Sequence, residues 1–131
     1  MLFTRESDYA IRIVRALKGG EQRNVDEICS LEEVPRAFCY KIMKKLGTAG
    51  IVDVARGAGG GYRLGRSLDD LTLYDIIAAI EPEFSVMECI HHFCSRNSGS
   101  NHCKVHRELL GIQSSVEKLL REKTLYDILE G

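Results

Sequence analysis

No stretch of this 131-residue chain stays apolar long enough to cross a bilayer, since even Leu109 to Leu120 is interrupted by polar and charged residues. The opening residues, Met1 to Asp8, lack the basic leader and unbroken apolar core of a secretion signal, so a cytoplasmic location is expected. Neither common nucleotide loop is present. The glycine run from Gly57 to Gly61 lacks the lysine of GxxxxGK[ST], and the GxGxxG spacing ends on Tyr62. At 44% hydrophobic and 28% charged residues, the chain makes one compact domain, or a small domain plus an arm, with little interior for a large buried active site. Cys103 and His106 could share a helical face, but no cleft-forming pattern accompanies them, and an enzyme is not expected.

Net charge is also nearly absent, at −1, yet the two halves differ. Residues 1–66 carry 12 Lys or Arg against 8 acids, whereas residues 67–131 carry 6 against 11. Between 35 and 66 the basic residues Arg36, Lys41, Lys44, Lys45, Arg56, Arg63 and Arg66 face the single acid Asp53. Such segregation suggests a polyanionic partner on one side, the alternative being an ordinary solvated face.

Helical spacing of Ala10, Ile13, Val14 and Leu17 predicts a first helix over Thr4 to Lys18, stopped by Gly19-Gly20. A short second helix over Val25 to Glu32 and a third over Arg36 to Leu46, started by Pro35, make a helix-turn-helix. The period then becomes extended. Ile51 to Val54 and Tyr62 to Leu64 read as strands around a tip of four glycines in five residues, flanked by Arg56 and Arg63. The expected fold is mainly α with a small β-hairpin: a winged helix-turn-helix followed by a long C-terminal dimerisation helix. Residues 1–83 form the DNA-binding domain, 84–103 a cysteine-rich loop, and 104–131 the dimerisation helix and a short closing helix. Thr72, with Asp75, caps a fourth helix that ends before Pro82. Val105, Leu109, Ile112, Val116 and Leu119 alternate by four and three, the seam spacing of paired helices, and predict a homodimer.

A basic helix followed by a glycine-tipped hairpin suits duplex DNA, the helix in the major groove and the tip against an adjacent groove or phosphates. Arg36, Ala37 and Tyr40, early on the helix, are the candidates for reading bases. Lys41, Lys44, Lys45, Arg56 and Arg63 are the candidates for phosphate contacts, with Gly59 and Gly60 allowing close approach of the tip. A two-fold dimer fits a palindromic operator with half-sites one helical turn apart.

Five cysteines are an odd number, which argues against a disulfide framework. Cys29 and Cys39 sit singly in helical patterns and read as small core residues. Cys89, Cys94 and Cys103 crowd into 15 residues with His91, His92, His102 and His106 around them. The pattern C-x4-C-x8-C-x2-H supplies soft thiolates for an iron–sulfur cluster or zinc, with His106 as a fourth donor. Structural thiols, redox-active thiols without a metal, and a non-DNA-binding electron-transfer or scaffold protein are the competing readings.

These residues resemble the Rrf2 family of bacterial transcription regulators, which includes regulators of iron–sulfur cluster assembly and nitric oxide sensors. The resemblance rests on Phe3-Thr4 through Asp8 to Arg12, on Leu46 to Val52, on the wing signature Arg56 to Leu64, and on Thr124 to Leu129. It implies a dimeric repressor whose promoter affinity is set by a cluster sensing redox state, nitric oxide or iron–sulfur status. Family members with a cluster use three cysteines matching Cys89, Cys94 and Cys103. The fourth ligand matches His106 in one branch, with a two-iron (2Fe-2S) cluster, and Asp8, contributed across the dimer, in the other, with a four-iron (4Fe-4S) cluster. The gaps here depart from the more even family spacing, which leaves His91, His92 or His102 as substitute ligands. Glu33 stands where the family commonly has glycine, and Cys39 has no counterpart in the family pattern.

Overall fold

The computed structural model describes residues 3–55 and 60–131. Helix α1 (Arg5–Ala16) begins where the Thr4 hydroxyl accepts from the Ser7 amide, at 3.2 Å. Ala10, Ile13 and Val14 are its fully buried face, continued by Leu17 beyond its end. It ends two residues before the expected Lys18, because Lys18–Gly20 tightens into a 3₁₀ turn in which Gly19 has φ 73°.

Helix α2 (Val25–Glu32) has the bounds expected from sequence and opens with a reciprocal cap between Asn24 and Glu27. Helix α3 (Arg36–Thr48) follows Pro35 and runs two residues past the expected Leu46. Cys39, Ile42, Met43 and Leu46 form its buried face, which meets α1. The buried carboxylate of Glu32 ties α2 to α1: Arg15 donates to both of its oxygens, and Arg12 donates to the Glu32 carbonyl at 3.0 Å. The Glu32 hydrogen bonds raise the Arg15 pKa.

Strands β1 (Val52–Ala55) and β2 (Gly61–Leu64) pair antiparallel with Val52 opposite Leu64 and Ala55 opposite Gly61. Tyr62 also exchanges backbone hydrogen bonds with Arg23, at 2.7 and 3.0 Å, so the hairpin is fastened to the chain entering α2. A Cβ on Gly61 would lie 2.5 Å from the Arg23 carbonyl oxygen, which requires glycine there. The hairpin tip, including Arg56 and Gly59, lies outside the described residues.

Helix α4 (Leu73–Ile80), opened by the expected Thr72–Asp75 cap, packs against α1 and α3. Helix α5 (Lys104–Arg121) rests on α4, where the Arg121 guanidinium lies 3.7 Å from the Tyr74 ring centroid. Helix α6 (Leu125–Glu130) returns to the body through the Leu125 amide, which donates to the Leu71 carbonyl at 2.8 Å. One contiguous apolar core joins α1 to α4 and takes in Leu125. The expected architecture is present: mainly helical, with a small hairpin and a long C-terminal helix.

The turn between α2 and α3 is made by Glu33 at φ 56° and ψ 45°, the one non-glycine residue in the left-handed region among the described residues. Its side chain is exposed, so nothing offsets the steric cost of Cβ beside the carbonyl. Relief of about 1–2 kcal/mol, less about 0.5–1 kcal/mol of added unfolded-state entropy, makes Glu33→Gly stabilising by about 0.5 kcal/mol. Urea unfolding should show a raised midpoint for Glu33→Gly and no gain for Glu33→Ala.

Candidate cysteine site and nucleic-acid interface

After α4 the chain leaves the core and must satisfy its backbone polar groups outside a helix. Gln113, the buried residue of α5, does part of this: its Oε1 accepts from the Val86 amide at 2.7 Å and its Nε2 donates to the Phe84 carbonyl at 3.0 Å. Phe84 in turn stacks on Phe3, with ring centroids 5.7 Å apart. Beyond this anchor, 3₁₀ turns at Glu88–Ile90 and Ser95–Asn97 order a segment whose composition predicts only a loop. The first turn carries Cys89. The second follows Cys94, and its Asn97 side chain accepts from the Cys103 amide at 3.0 Å.

Cys103 is the N-cap of α5: its sulfur accepts from the His106 amide at 3.4 Å. The same His106 turns its ring toward the preceding segment, placing Nδ1 3.4 Å from the Cys89 sulfur. Two cysteines therefore meet one histidine, the first through its ring and the second through its backbone. All three cysteines of the segment are half-buried free thiols. Among the described residues, however, no three His, Cys, Asp or Glu side chains converge so as to hold a metal ion. The expected cage of Cys89, Cys94, Cys103 and His106 is thus not assembled in this structure. Asp8 is on α1, paired with Arg12 at 3.1 Å, and His92 is paired with Glu83 at 3.2 Å. What the geometry offers directly is a hydrogen-bonding contact between a thiol and an imidazole.

The basic residues of α3 and β2 fall into two groups. Arg36 is paired with Asp26 and lies over the Tyr40 ring at 5.9 Å. Lys41 and Lys45 both reach back to Glu6 of α1, at 2.8 and 3.1 Å, and these hydrogen bonds hold the Glu6 carboxyl below its ordinary pKa and raise that of Lys41. Lys44 and Arg63, by contrast, are exposed and form no ion pair among the described residues. Ala37, Tyr40 and Gly60 are exposed beside them. Glu6 and Gln113 escape a reading of the sequence. Glu6 lies 35 residues from Lys41, beyond any local pattern. Gln113 left a faint signal, a polar residue between Leu109 and Val116 on an otherwise apolar seam.

Residues 3–131 match the Rrf2 family, described as an iron-dependent transcriptional regulator. The protein aau3 of Rhizobium meliloti is 29% identical over 133 residues, covering 100% of this chain and 80% of that protein. The HTH-type transcriptional regulator NsrR of Bacillus subtilis is 30% identical over 92 residues, covering 68% of this chain and 63% of that one. The solved structure of CymR (YrzC), the global cysteine regulator of B. subtilis, is similar with a TM-score of 0.77 at 26% identity, over 98% of this chain and 95% of that one.

Lys44→Ala and Arg63→Ala should each weaken binding to a mixed-sequence duplex and lower the log–log salt slope by about 1, read by fluorescence anisotropy. Lys41→Ala should change the slope less, because Glu6 already neutralises that charge. Since Glu6 has its pKa depressed by folding, its contribution is present above its unfolded pKa and lost as pH falls through the folded one. Glu6→Gln should therefore destabilise by up to about 1 kcal/mol at neutral pH and by nothing in strong acid, as urea unfolding at the two pH values will measure.

Proposed function

The chain belongs to the Rrf2 family of transcriptional regulators, and from that premise we propose that it binds DNA as a homodimer under control of thiol chemistry at Cys89, His106 and Cys103. The observation that carries the control is the 3.4 Å contact between the Cys89 sulfur and His106 Nδ1, at the first turn of α5. Support for the dimer comes from the outer face of that helix. Val105, Ile112 and Leu119, seven residues apart, are 66%, 44% and 66% exposed, while Leu109 and Val116 turn inward. A seven-residue apolar stripe on an amphipathic helix suits the same stripe of a second copy. DNA would be met by the exposed start of α3 and by the hairpin, with Arg36, Ala37 and Tyr40 toward bases and Lys44, Arg63 and Arg56 toward phosphates. Lys41 and Lys45 can contribute once they leave Glu6.

The chemistry follows from the pair. Cys89 gives its thiol proton to His106 Nδ1, and the thiolate sulfur attacks the distal oxygen of a hydroperoxide, breaking the O–O bond. The alkoxide or hydroxide released takes up that proton, leaving Cys89 as a sulfenic acid. The Cys103 sulfur then displaces the hydroxyl, which leaves as water with the Cys103 proton, and the two cysteines are joined. Because Cys103 caps α5, the bond removes the cap while drawing on the segment that Gln113 fastens to Phe84. A contiguous set of contacts, Phe84 on Phe3 and Thr4 with Glu81 at 3.1 Å, runs from there to α1, whose Glu6 holds Lys41 and Lys45.

A second reading, an iron–sulfur cluster on Cys89, Cys94 and Cys103 with His106 or Asp8, is favoured by the description of the family as iron-dependent and by the same Cys89–His106 contact. It requires Cys94 to join the other donors. Anaerobic purification followed by iron, sulfide and free-thiol analysis separates the two. The thiol reading expects no iron or sulfide, peroxide-sensitive binding to duplexes selected from a random pool, loss of that sensitivity in Cys89→Ser, and slower oxidation in His106→Gln. Iron and sulfide lost in the Cys89→Ser variant would overturn it in favour of the cluster.

A further inference from the structure

Arg36 stands at the first position of α3, where a helix has unpaired N–H groups and the positive end of its dipole. A guanidinium gains nothing from that place, and the first turn of α3 has no acid of its own. Its partner comes from the neighbouring helix: Asp26, in the first turn of α2, accepts from Arg36 Nη1. On the other side Arg36 Nη2 donates to the Tyr40 hydroxyl at 3.3 Å, one turn along α3, with the guanidinium 5.9 Å from the ring centroid. Asp26 is itself held firmly. The reciprocal cap between Asn24 and Glu27 sets the start of α2, and the paired backbone hydrogen bonds of Tyr62 and Arg23 fasten the hairpin beside it. Asp26, Arg36, Tyr40 and Tyr62 line one recess of about 300 Å³ among α2, α3 and β2.

We propose that Asp26 is a positioning residue for base recognition: it and Tyr40 hold the Arg36 guanidinium in one pose, from which Arg36 reads a guanine in the major groove. The inference rests on the DNA-binding reading above and adds to it the residue that aims the contact and the base that is selected. Guanine presents two acceptors in that groove, O6 and N7, which suit an arginine with donors to spare. Of the five N–H donors of a guanidinium, Asp26 and Tyr40 engage one each, and the rest are left for a base. An unanchored arginine side chain samples many rotamers, and ordering it on binding costs entropy. A pose fixed beforehand removes most of that cost from the correct complex.

Stability does not account for the pair. The side chains of Arg36 and Asp26 are 59% and 69% exposed, and an ion pair so open to water contributes little to folding. Nor does affinity. A carboxylate beside the surface that meets phosphates repels them and neutralises one of the cations that attract them. Asp26 therefore works against the sequence-independent part of DNA binding, and the orientation of Arg36 is what it adds. The two effects have opposite signs, so removing the carboxylate separates them: general attraction for duplex DNA rises while discrimination at one base pair falls. A role confined to packing α2 on α3 would lower both together.

The test uses the full-length protein, wild type and variant, to select duplexes from a random pool. Binding to the selected duplex, to its single-base variants and to an unrelated duplex is then measured by fluorescence anisotropy. The wild type should enrich a guanine that Arg36→Ala no longer selects. Asp26→Ala should lose preference for that same guanine by about tenfold, keep its preferences elsewhere in the site, and bind the unrelated duplex more tightly than the wild type does. The double variant should lose no more at that guanine than Arg36→Ala alone, since Asp26 acts through Arg36. Asp26→Asn keeps the shape and an acceptor oxygen without the charge; it should retain part of the preference and show the same gain in general affinity, and it stands in for Asp26→Ala if that variant does not fold. Three results would overturn the proposal and leave the DNA-binding reading intact: no guanine preference that depends on Arg36, a preference unchanged or sharpened in either Asp26 variant, or a preference lost together with affinity for the unrelated duplex. Failure of the wild type to enrich any sequence would overturn that reading, and this inference with it.

Discussion

The buried side-chain amide of Gln113 fastens the start of the cysteine segment to α5. It satisfies one N–H and one C=O of the chain leaving α4, two groups that no helix or strand pairs. Leaving either buried and unpaired would cost about 1–3 kcal/mol, a large share of the stability of a small domain. Residues 84–86 are therefore held at a fixed place on α5, and the Cys89 turn follows from there. His106 lies two turns earlier on the same helix, so its ring and the Cys89 sulfur are brought together by one rigid element. Without the Gln113 clamp the cysteine segment would be a tether. With it, a bond made or broken at Cys89 acts on a defined position.

The same economy governs the charged face. Sequence composition alone makes α3 a uniformly basic helix, but folding sorts its charges. Glu6 and Asp26 take up three of them, leaving Lys44 of α3 without an ion-pair partner among the described residues, as Arg63 of β2 also is. The paired lysines are not lost to DNA. An exposed ion pair contributes little, and a phosphate competes with Glu6 on nearly equal terms. The free cations therefore set the initial electrostatic attraction, while the paired ones make part of the binding energy depend on how α1 sits against α3.

The fold was largely legible because it is built from local signals: the cap at Thr72, the helix start at Pro35, apolar spacing in α1, α3 and α4, and the glycine run that breaks the helical period. The left-handed turn at Glu33 was signalled only by the glycine that the resemblance places there, since nothing in a glutamate itself announces a positive φ. The candidate site was legible by residue type and only partly by arrangement. Cysteine and histidine spacing marked Cys89, Cys103 and His106, and the helix period explains why Cys103 and His106 adjoin. Whether Cys94 joins them depends on loop geometry between 3₁₀ turns, which spacing does not encode. Cys29 and Cys39 were read as small core residues from their helical spacing, and Cys39 is fully buried in the core with Cys29 packed against it.

The proposed thiol site at the start of α5 has an energetic consequence. Coupling of about 1–3 kcal/mol is enough to change promoter occupancy many-fold, and this is the size of a single cap, buried hydrogen bond or ion pair. Under the proposed function, the α5 site acts on α3 through several such contacts in series, Gln113 with Phe84, Phe84 with Phe3, and Glu6 with its two lysines. Each junction can absorb part of the strain by a small side-chain shift. The proposed site is thereby suited to graded control that depends on the whole assembly.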